Sequence, residues 1–364
     1  MKAGLVGFAQ SGKTTLFNAL TGLHKGGASG RGQVNLGAIK VPDPRIDRLS
    51  AMFKPKKTTP TALEFVDIAG LVAGASKGEG LGNQFLGTIR QVDAIAHVLR
   101  CFADPDVVHV GGKVDPRGDR DVVETELMLK DLEQLERRRE RLQKDAKAPG
   151  KPGEVAKHEL GALDRVKAAL EGGTPVRAQA LDEEARAAIR PLFLLTAKPV
   201  LYIANVDESQ LGKEDSDPAI LAVKAIADAE GAPMVEISGK VESELVALSE
   251  AERKEYLDAL GLHEPGLDRL VHAAYRLLGL VTFFTGGPEE CRAWTIHAGT
   301  HAPQAAGVIH SDFERGFIKA DVIRYDDLAA LGSEAAARTH GKLKVEGKEY
   351  VVQDGDVMHF KFNV

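Results

Sequence analysis

GFAQSGKT, residues 7–14, follows the apolar residues Gly4, Leu5 and Val6 and runs into a helix-forming segment, residues 15–20. Glycine, four variable residues, then glycine, lysine and a hydroxyl residue form the pattern of a phosphate-binding loop. Glycine is required at both ends because the backbone must turn tightly and point successive N–H groups at a phosphate. A side chain at Gly12 would obstruct that cradle. Gly7, Phe8, Ala9, Gln10, Ser11, Gly12, Lys13, Thr14 and Thr15 are therefore the expected nucleotide contacts. Lys13 is expected to reach the β- and γ-phosphates as a point charge, and the Thr14 hydroxyl to hold magnesium. The helix N-terminus adds the positive end of its dipole.

A length of 364 residues exceeds what one hydrophobic core usually organises, so two or three domains are expected, and 43% hydrophobic content can fill them. No apolar run approaches the roughly 20 residues of a membrane span. Met1 and Lys2 lead straight into the first strand, leaving no room for a signal segment, so a cytoplasmic location without membrane contact is expected. Cys101 and Cys291 are too few for a disulfide framework and lack metal-ligand spacing, which makes them reduced thiols. A net charge of −6 argues against general polyanion binding, so contact with nucleic acid needs a local basic face.

Residues 25–37 have the glycine and polar content of a surface loop, where phosphate-loop proteins place a switch segment; it holds no threonine, and Ser29 is its one hydroxyl. Residues 41–53, VPDPRIDRLSAMF, predict a helix from the prolines at its start and from Ile46, Leu49 and Phe53 at helical spacing. Residues 61–70, TALEFVDIAG, read as a strand ending in D-x-x-G. Asp67 is expected to hold magnesium through water, and the Gly70 N–H to face the γ-phosphate. Leu71 follows where many GTPases carry a water-orienting glutamine, and leucine cannot orient water.

DAIAHVLRCF, residues 93–102, is a buried strand by its apolar run, with His97 as a core residue inside it. His109 lies beyond that strand among glycines and is the better candidate for chemistry. From residue 121 to 170 apolar residues recur at helical spacing among dense charge, interrupted by APGKPG, which predicts an antiparallel helical hairpin. Its run ERRRERLQK reads as a solvated face, with Arg137, Arg138 and Arg139 as a second-choice docking surface. PVLYIANVDE, residues 199–208, returns to the parallel sheet. Asn205 is placed to brace the phosphate loop, while Val206 and Glu208 replace the lysine and aspartate of a guanine-reading N-K-x-D motif. The next strand ends at Ser238 and Gly239, where a backbone N–H is expected to meet the base. From residue 280 the runs RAWTIHAG, GFIKADVIRY, KEYVVQDG and VMHFKFNV predict short strands with one small helix, about 85 residues in all and enough for one small α+β domain.

With the phosphate loop, DIAGLVAGASKGEGLGNQFL, NVDE and the closing AAGVIHSDFERGFIKADVI…EGKEYVVQDGDVMHFKFNV in view, the chain resembles the YchF family of Obg-like ATPases over nearly its whole length. The resemblance implies an α/β P-loop NTPase domain of the TRAFAC class with a mostly parallel sheet, an inserted helical hairpin, and a C-terminal ubiquitin-like (β-grasp) TGS domain. Boundaries follow at 1–118 and 196–279 for the nucleotide domain, 119–195 for the hairpin and 280–364 for the TGS domain. It also implies ATP preferred over GTP, slow hydrolysis with magnesium, and association with the ribosome. The alternative is a nucleotide-gated ribosome- or RNA-binding module, GTP-using or not, in which hydrolysis is incidental.

Carried over by position, the phosphate and metal roles fall on Lys13, Thr14, Asp67 and Gly70, the base role on Asn205 and Glu208, and the hydrolytic histidine on His109. Three departures stand out. Gln10 replaces an asparagine that can bind a monovalent cation, which puts potassium dependence in question. Residues 26–37 lack the usual cysteine and threonine, and Ala73 replaces a lysine, which puts redox control and magnesium gating in question. In the TGS segment Arg315, Lys319, Arg324, Lys342, Lys344 and Lys348 offer one basic face for RNA.

Overall fold

The computed structural model describes residues 1–22, 35–68, 81–105 and 112–363, with the backbone alone at 81–84. Among them twelve strands follow in chain order: β1 (Lys2–Val6), β2 (Asn35–Lys40), β3 (Lys57–Thr59), β4 (Ala62–Asp67), β5 (Ala94–Arg100), β6 (Val200–Asn205), β7 (Met234–Ile237), β8 (Leu280–Thr285), β9 (Glu290–His297), β10 (Phe317–Arg324), β11 (Lys344–Glu346) and β12 (Asp356–Phe362). The chain divides into two compact units, Met1–Gly37 with Glu64–Ala273, and Ala38–Leu63 with Ala274–Val364.

The sheet of the first unit has the order β2-β4-β1-β5-β6-β7, and β4, β1, β5, β6 and β7 are parallel. All seven residues of β5 are buried. Helices cover both faces of such a sheet, which is why its central strand reads as an unbroken apolar run. Val6, Ile95, Leu99, Tyr202, Ile220 and Val223 share its core. The carboxyl ends of β1, β4, β6 and β7 deliver Gly7, Asp67, Asn205 and Ser238 to the sheet edge where α/β folds bind ligands.

The helical hairpin is formed by Pro116–Asp145 and Lys151–Glu171, broken at APGKPG as the sequence requires. Asp115 caps the first helix by accepting from the Gly118 N–H at 3.0 Å, and Pro116 occupies its first turn, where no amide partner is lost. Near its start Val123 and Leu127 pack into the sheet's core; farther out Leu135 and Leu142 meet Ala156, Leu163 and Val166 in a core of the hairpin's own. Its root is pinned by Asp131, which is fully buried and accepts from Leu195 N (2.7 Å), Thr196 N (2.8 Å) and Thr196 Oγ1 (2.7 Å). Arg177 adds a second pin through Glu124 and Glu230.

The second unit carries the sheet β11-β10-β12-β8-β9-β3. β8 and β9 form an antiparallel pair, and the terminal strand β12 lies between β8, to which it is parallel, and the antiparallel β10. The helix Ala302–Ile309 packs Ala302, Ala305 and Ala306 against Phe283, Phe317 and Met358, which completes the β-grasp layout.

Three features differ from the sequence reading. KEYVVQDG is no strand: Val351 forms a single bridge to His301, and β11 lies upstream. The fully buried Asp356 explains this, because it accepts from Tyr350 Oη at 2.7 Å and Gln353 N at 2.8 Å and folds the segment into a turn through Gly355 at φ 85°. Four short helices occupy this stretch where one was expected. Finally, residues 38–63, read as part of the nucleotide domain, group with the C-terminal segment. The helix Pro44–Phe53 places Ile46 and Leu49 against Phe284, Cys291 and Ala293, and Arg45 pairs with Asp354 at 2.7 Å.

Candidate nucleotide site

The loop after β1 has the backbone its sequence demands. Gly7 lies at φ 153°, and a Cβ there would sit 2.4 Å from the Val98 carbonyl oxygen. Gly12 lies at φ 92°, and a Cβ there would sit 2.1 Å from Asn205 Nδ2. Neither space nor dihedral allows another residue. Gln10 also adopts a left-handed conformation, φ 65°, which glycine or asparagine takes at less cost. The helix Lys13–Thr21 starts directly from Gly12 and has no side-chain cap, so its first N–H groups remain available to an anion.

Lys13 is buried, and its Nζ donates to the Phe8 carbonyl and, at 3.5 Å, to Ser11 Oγ. Burial lowers its pKa to about 8, against the opposing pull of Asp67. Thr14 Oγ1 donates to Asp67 Oδ2 at 3.2 Å, joining the ends of the phosphate loop and of β4. Burial raises the Asp67 pKa, opposed by hydrogen bonds from Thr14 and Asn35 and by the Lys13 charge. Asn35 was not anticipated, although its place at the start of β2, next in the sheet to β4, is the signal that could have found it.

Asn205 ties the loop to the far side of the site. Its Nδ2 donates to the Ser11 carbonyl at 2.8 Å, and its Oδ1 accepts from the Gly239 N–H at 3.0 Å. The Gly239 N–H is thus committed to Asn205 rather than turned to a base, and Ser238 Oγ is buried without a hydrogen-bond partner among the described residues. A cavity of about 1050 Å³ opens beside the loop, lined among others by Gln10, Gly12, Thr15, Phe102, Asn205 and Val206. Asp207, Lys240 and Glu244 also line it, whereas Glu208, Ser238, Lys13, Thr14 and Asp67 do not. The sequence reading passed over Phe102 and Asp207; their positions just past the ends of β5 and β6 mark them. The Asp207 carboxyl is held below its ordinary range, first by hydrogen bonds from Ser209 and also by the Lys240 charge.

Gly70, Leu71, Ala73 and His109 lie outside the described residues, as does most of the loop at 25–37. His97 is buried in β5, beside Val6 in register, with its ring 5.8 Å from that of Tyr202. Burial, reinforced by Arg120, Arg177 and Lys13, lowers its pKa to about 3, so it is neutral, and its Nε2 has no hydrogen-bond partner among the described residues.

The chain is 49% identical to a Haemophilus influenzae protein named ribosome-binding ATPase YchF, covering 100% of this chain and 99% of that one. The chain belongs to the YchF family. A Bacillus subtilis YchF of the same name is 47% identical over the whole of both chains. The solved structure of the Schizosaccharomyces pombe YchF GTPase superposes with a TM-score of 0.87 at 36% identity, covering 99% of this chain and 97% of that one. Residues 280–363 match the family profile YchF-GTPase C, described as a protein of unknown function (DUF933), and residues 2–141 match one described as 50S ribosome-binding GTPase. The likeness to YchF thus extends through both units, including the β-grasp end.

Proposed function

We propose that this chain binds ATP with magnesium, hydrolyses it slowly, and associates with ribosomes in the cytoplasm. The observation that carries the first part is the phosphate loop with Lys13 folded across it and Thr14 bonded to Asp67. Thr14 Oγ1 and Asp67 Oδ2 are hard oxygens 3.2 Å apart. They suit magnesium, which takes few protein oxygens and completes its shell with water and phosphate. Thr14 and Asp67 would hold the ion, which would supply charge neutralisation at the phosphates. Lys13 exchanges the Phe8 carbonyl for a phosphate oxygen, and the uncapped helix start adds its N–H groups.

Slow turnover follows from Leu71, which cannot position water, and leaves His109 with Lys13 as the catalytic pair. His109→Ala should lower turnover and leave ATP affinity nearly unchanged; a fall in both would make the histidine structural. Adenine preference is supported by Val206, buried and apolar, and by Glu208, which starts the short helix Glu208–Gln210 and does not line the cavity. The carboxylate at position 208 is thus outside the cavity, whose acids include Asp207 and Glu244. Calorimetry with magnesium should give ATP at least tenfold tighter than GTP, and equal or tighter GTP binding would refute the assignment. Gln10 in place of the family's asparagine argues for turnover independent of potassium.

Ribosome association rests on the names of the relatives. Charge distribution supports the C-terminal unit as one contact: it holds 16 Lys and Arg against 14 Asp and Glu, and the remainder 31 against 39. Arg315, Arg324 and Lys342 are paired with Asp312, Asp356 and Asp327, which leaves Lys319, Lys344 and Lys348 as the exposed cations for RNA phosphates. Among the described residues no helix is long and apolar enough to cross a membrane.

A further inference from the structure

We propose that the tip of the helical hairpin is an RNA-docking surface, with Arg141, Lys144, Lys147 and Lys151 clamping phosphates. The proposal rests on the ribosome reading above for its biological partner. Arg138 makes a forked contact to Glu159, and Arg139 reaches Asp164, so both cross-link the two helices; Arg137 pairs with Glu133 on its own helix. Arg138 and Arg139 thus hold the two helices together, and Arg137 is engaged within its own helix. Beyond them, residues 141–151 contain four cations and one carboxylate, Asp145. All four cations are exposed, and none has an ion-pair partner among the described residues. An unpaired cluster of this density, on a chain of net charge −6, is charge-complementary to a phosphate backbone.

Position strengthens the case. The helix Pro116–Asp145 has 30 residues, about 45 Å at the helical rise, and only its early part, at Val123 and Leu127, enters the sheet's core. Toward its far end Leu142 shares a cluster with Ala156 of the partner helix. Asp131 and Arg177 fix the root, and the cationic residues 141–151 lie at the other end of the helix. Between the helix ends lies a groove of about 540 Å³, lined by Leu142, Lys151, Pro152 and Val155 among others, with Val155 57% exposed. Lys151 lines this groove together with the acids Asp145 and Glu159, and its apolar residues suit an unstacked base whose flanking phosphates meet the cations nearby, the form in which single-stranded RNA loops are bound.

The test uses the full chain with Arg141, Lys144, Lys147 and Lys151 all changed to Gln, exposed positions that leave the hairpin core intact. Binding to purified ribosomes and to protein-free ribosomal RNA is measured across a salt series. The variant should bind both at least tenfold more weakly, and the slope of log affinity against log salt should fall by about 2 to 4, near 0.7 to 0.9 per lost phosphate contact. ATP turnover without ribosomes should not change. Unchanged affinity and slope would overturn the proposal. So would loss of ribosome binding with RNA binding intact, which would assign the tip to a ribosomal protein. If the unmodified chain binds the RNA through the tip but no ribosomes, the ribosome reading fails and the docking chemistry stands.

Discussion

Asn205 is bonded to Ser11 at 2.8 Å across 194 residues of sequence, and the same amide holds the Gly239 N–H at 3.0 Å. One side chain thereby fixes the phosphate loop against β6 and the helix that follows β7. Asn205→Ala would leave a buried carbonyl and a buried N–H without partners, each costing about 1–3 kcal/mol. We expect a lower midpoint in denaturant and ATP affinity reduced tenfold or more. Gly12→Ala should abolish binding outright, since its Cβ would fall 2.1 Å from Asn205 Nδ2. Calorimetry on either variant checks this, and wild-type affinity in Asn205→Ala would refute the bracing role.

Lys13 provides a pH signature. Its folded pKa, about 8, lies below the ordinary 10.5. The unfolded chain therefore holds more protons between these values, and stability of the nucleotide-free protein should rise as pH increases from 8 to 10.5. Phosphate favours the charged lysine, so ATP binding near pH 9 should take up close to one proton and weaken by up to tenfold per pH unit above 8. Calorimetry in buffers of different ionisation heat measures the uptake; none at pH 9 would contradict the assignment.

The opposite sign is expected from two buried acids. Burial raises Asp131 to about 6 and Glu242 to about 7, although backbone N–H donors oppose it, among them Gly266 to Glu242 at 2.7 Å. Their folded pKa values exceed the unfolded ones, so stability should fall as pH rises from about 4 to about 7. Glu242→Gln keeps an acceptor for Gly266 and removes the titration. Melting curves at pH 5 and pH 8 should then differ less than in the unmodified chain.

Truncation at residue 280 should fail as a clean test of the C-terminal unit. It would strip Phe284, Cys291 and Ala293 from Ile46 and Leu49, which are almost fully buried. Each such side chain left exposed forfeits about 1.5–3 kcal/mol. The shortened chain should aggregate or melt lower, whereas the exposed changes Lys319→Gln, Lys344→Gln and Lys348→Gln should leave melting unchanged while weakening RNA binding. A truncated chain of undiminished stability would contradict this packing.

Both thiols should be inert in the folded protein. Cys101 and Cys291 are buried, and burial pushes Cys291 up to about 11 and Cys101 higher still. A thiol reagent should react with neither until denaturant is added, and activity should survive peroxide at concentrations that oxidise free cysteine.

Much of this protein is written locally. The phosphate loop is legible because positive φ at Gly12 and the closeness of Asn205 admit only glycine. The buried strand β5 is legible because both its faces are covered, and the hairpin because proline and glycine interrupt a helical period. What the tertiary structure decided concerns partners distant in sequence. Residues 38–63 join the C-terminal unit because Ile46 and Leu49 meet an apolar surface more than 230 positions away, which no local period encodes. KEYVVQDG has the residues of a strand, yet its Tyr350 carbonyl accepts from the Ala302 N–H at 2.8 Å and its Val352 N–H donates to the Thr300 carbonyl at 3.0 Å, partners that only the tertiary fold supplies. Asn205 could be recognised as a brace, but that it takes the Gly239 N–H from the base depends on where β6 and β7 end in space. Arg138 and Arg139 look the same in sequence as Arg141, and only the packing of one helix on the other turns two of them into cross-links and leaves the third without an ion-pair partner among the described residues.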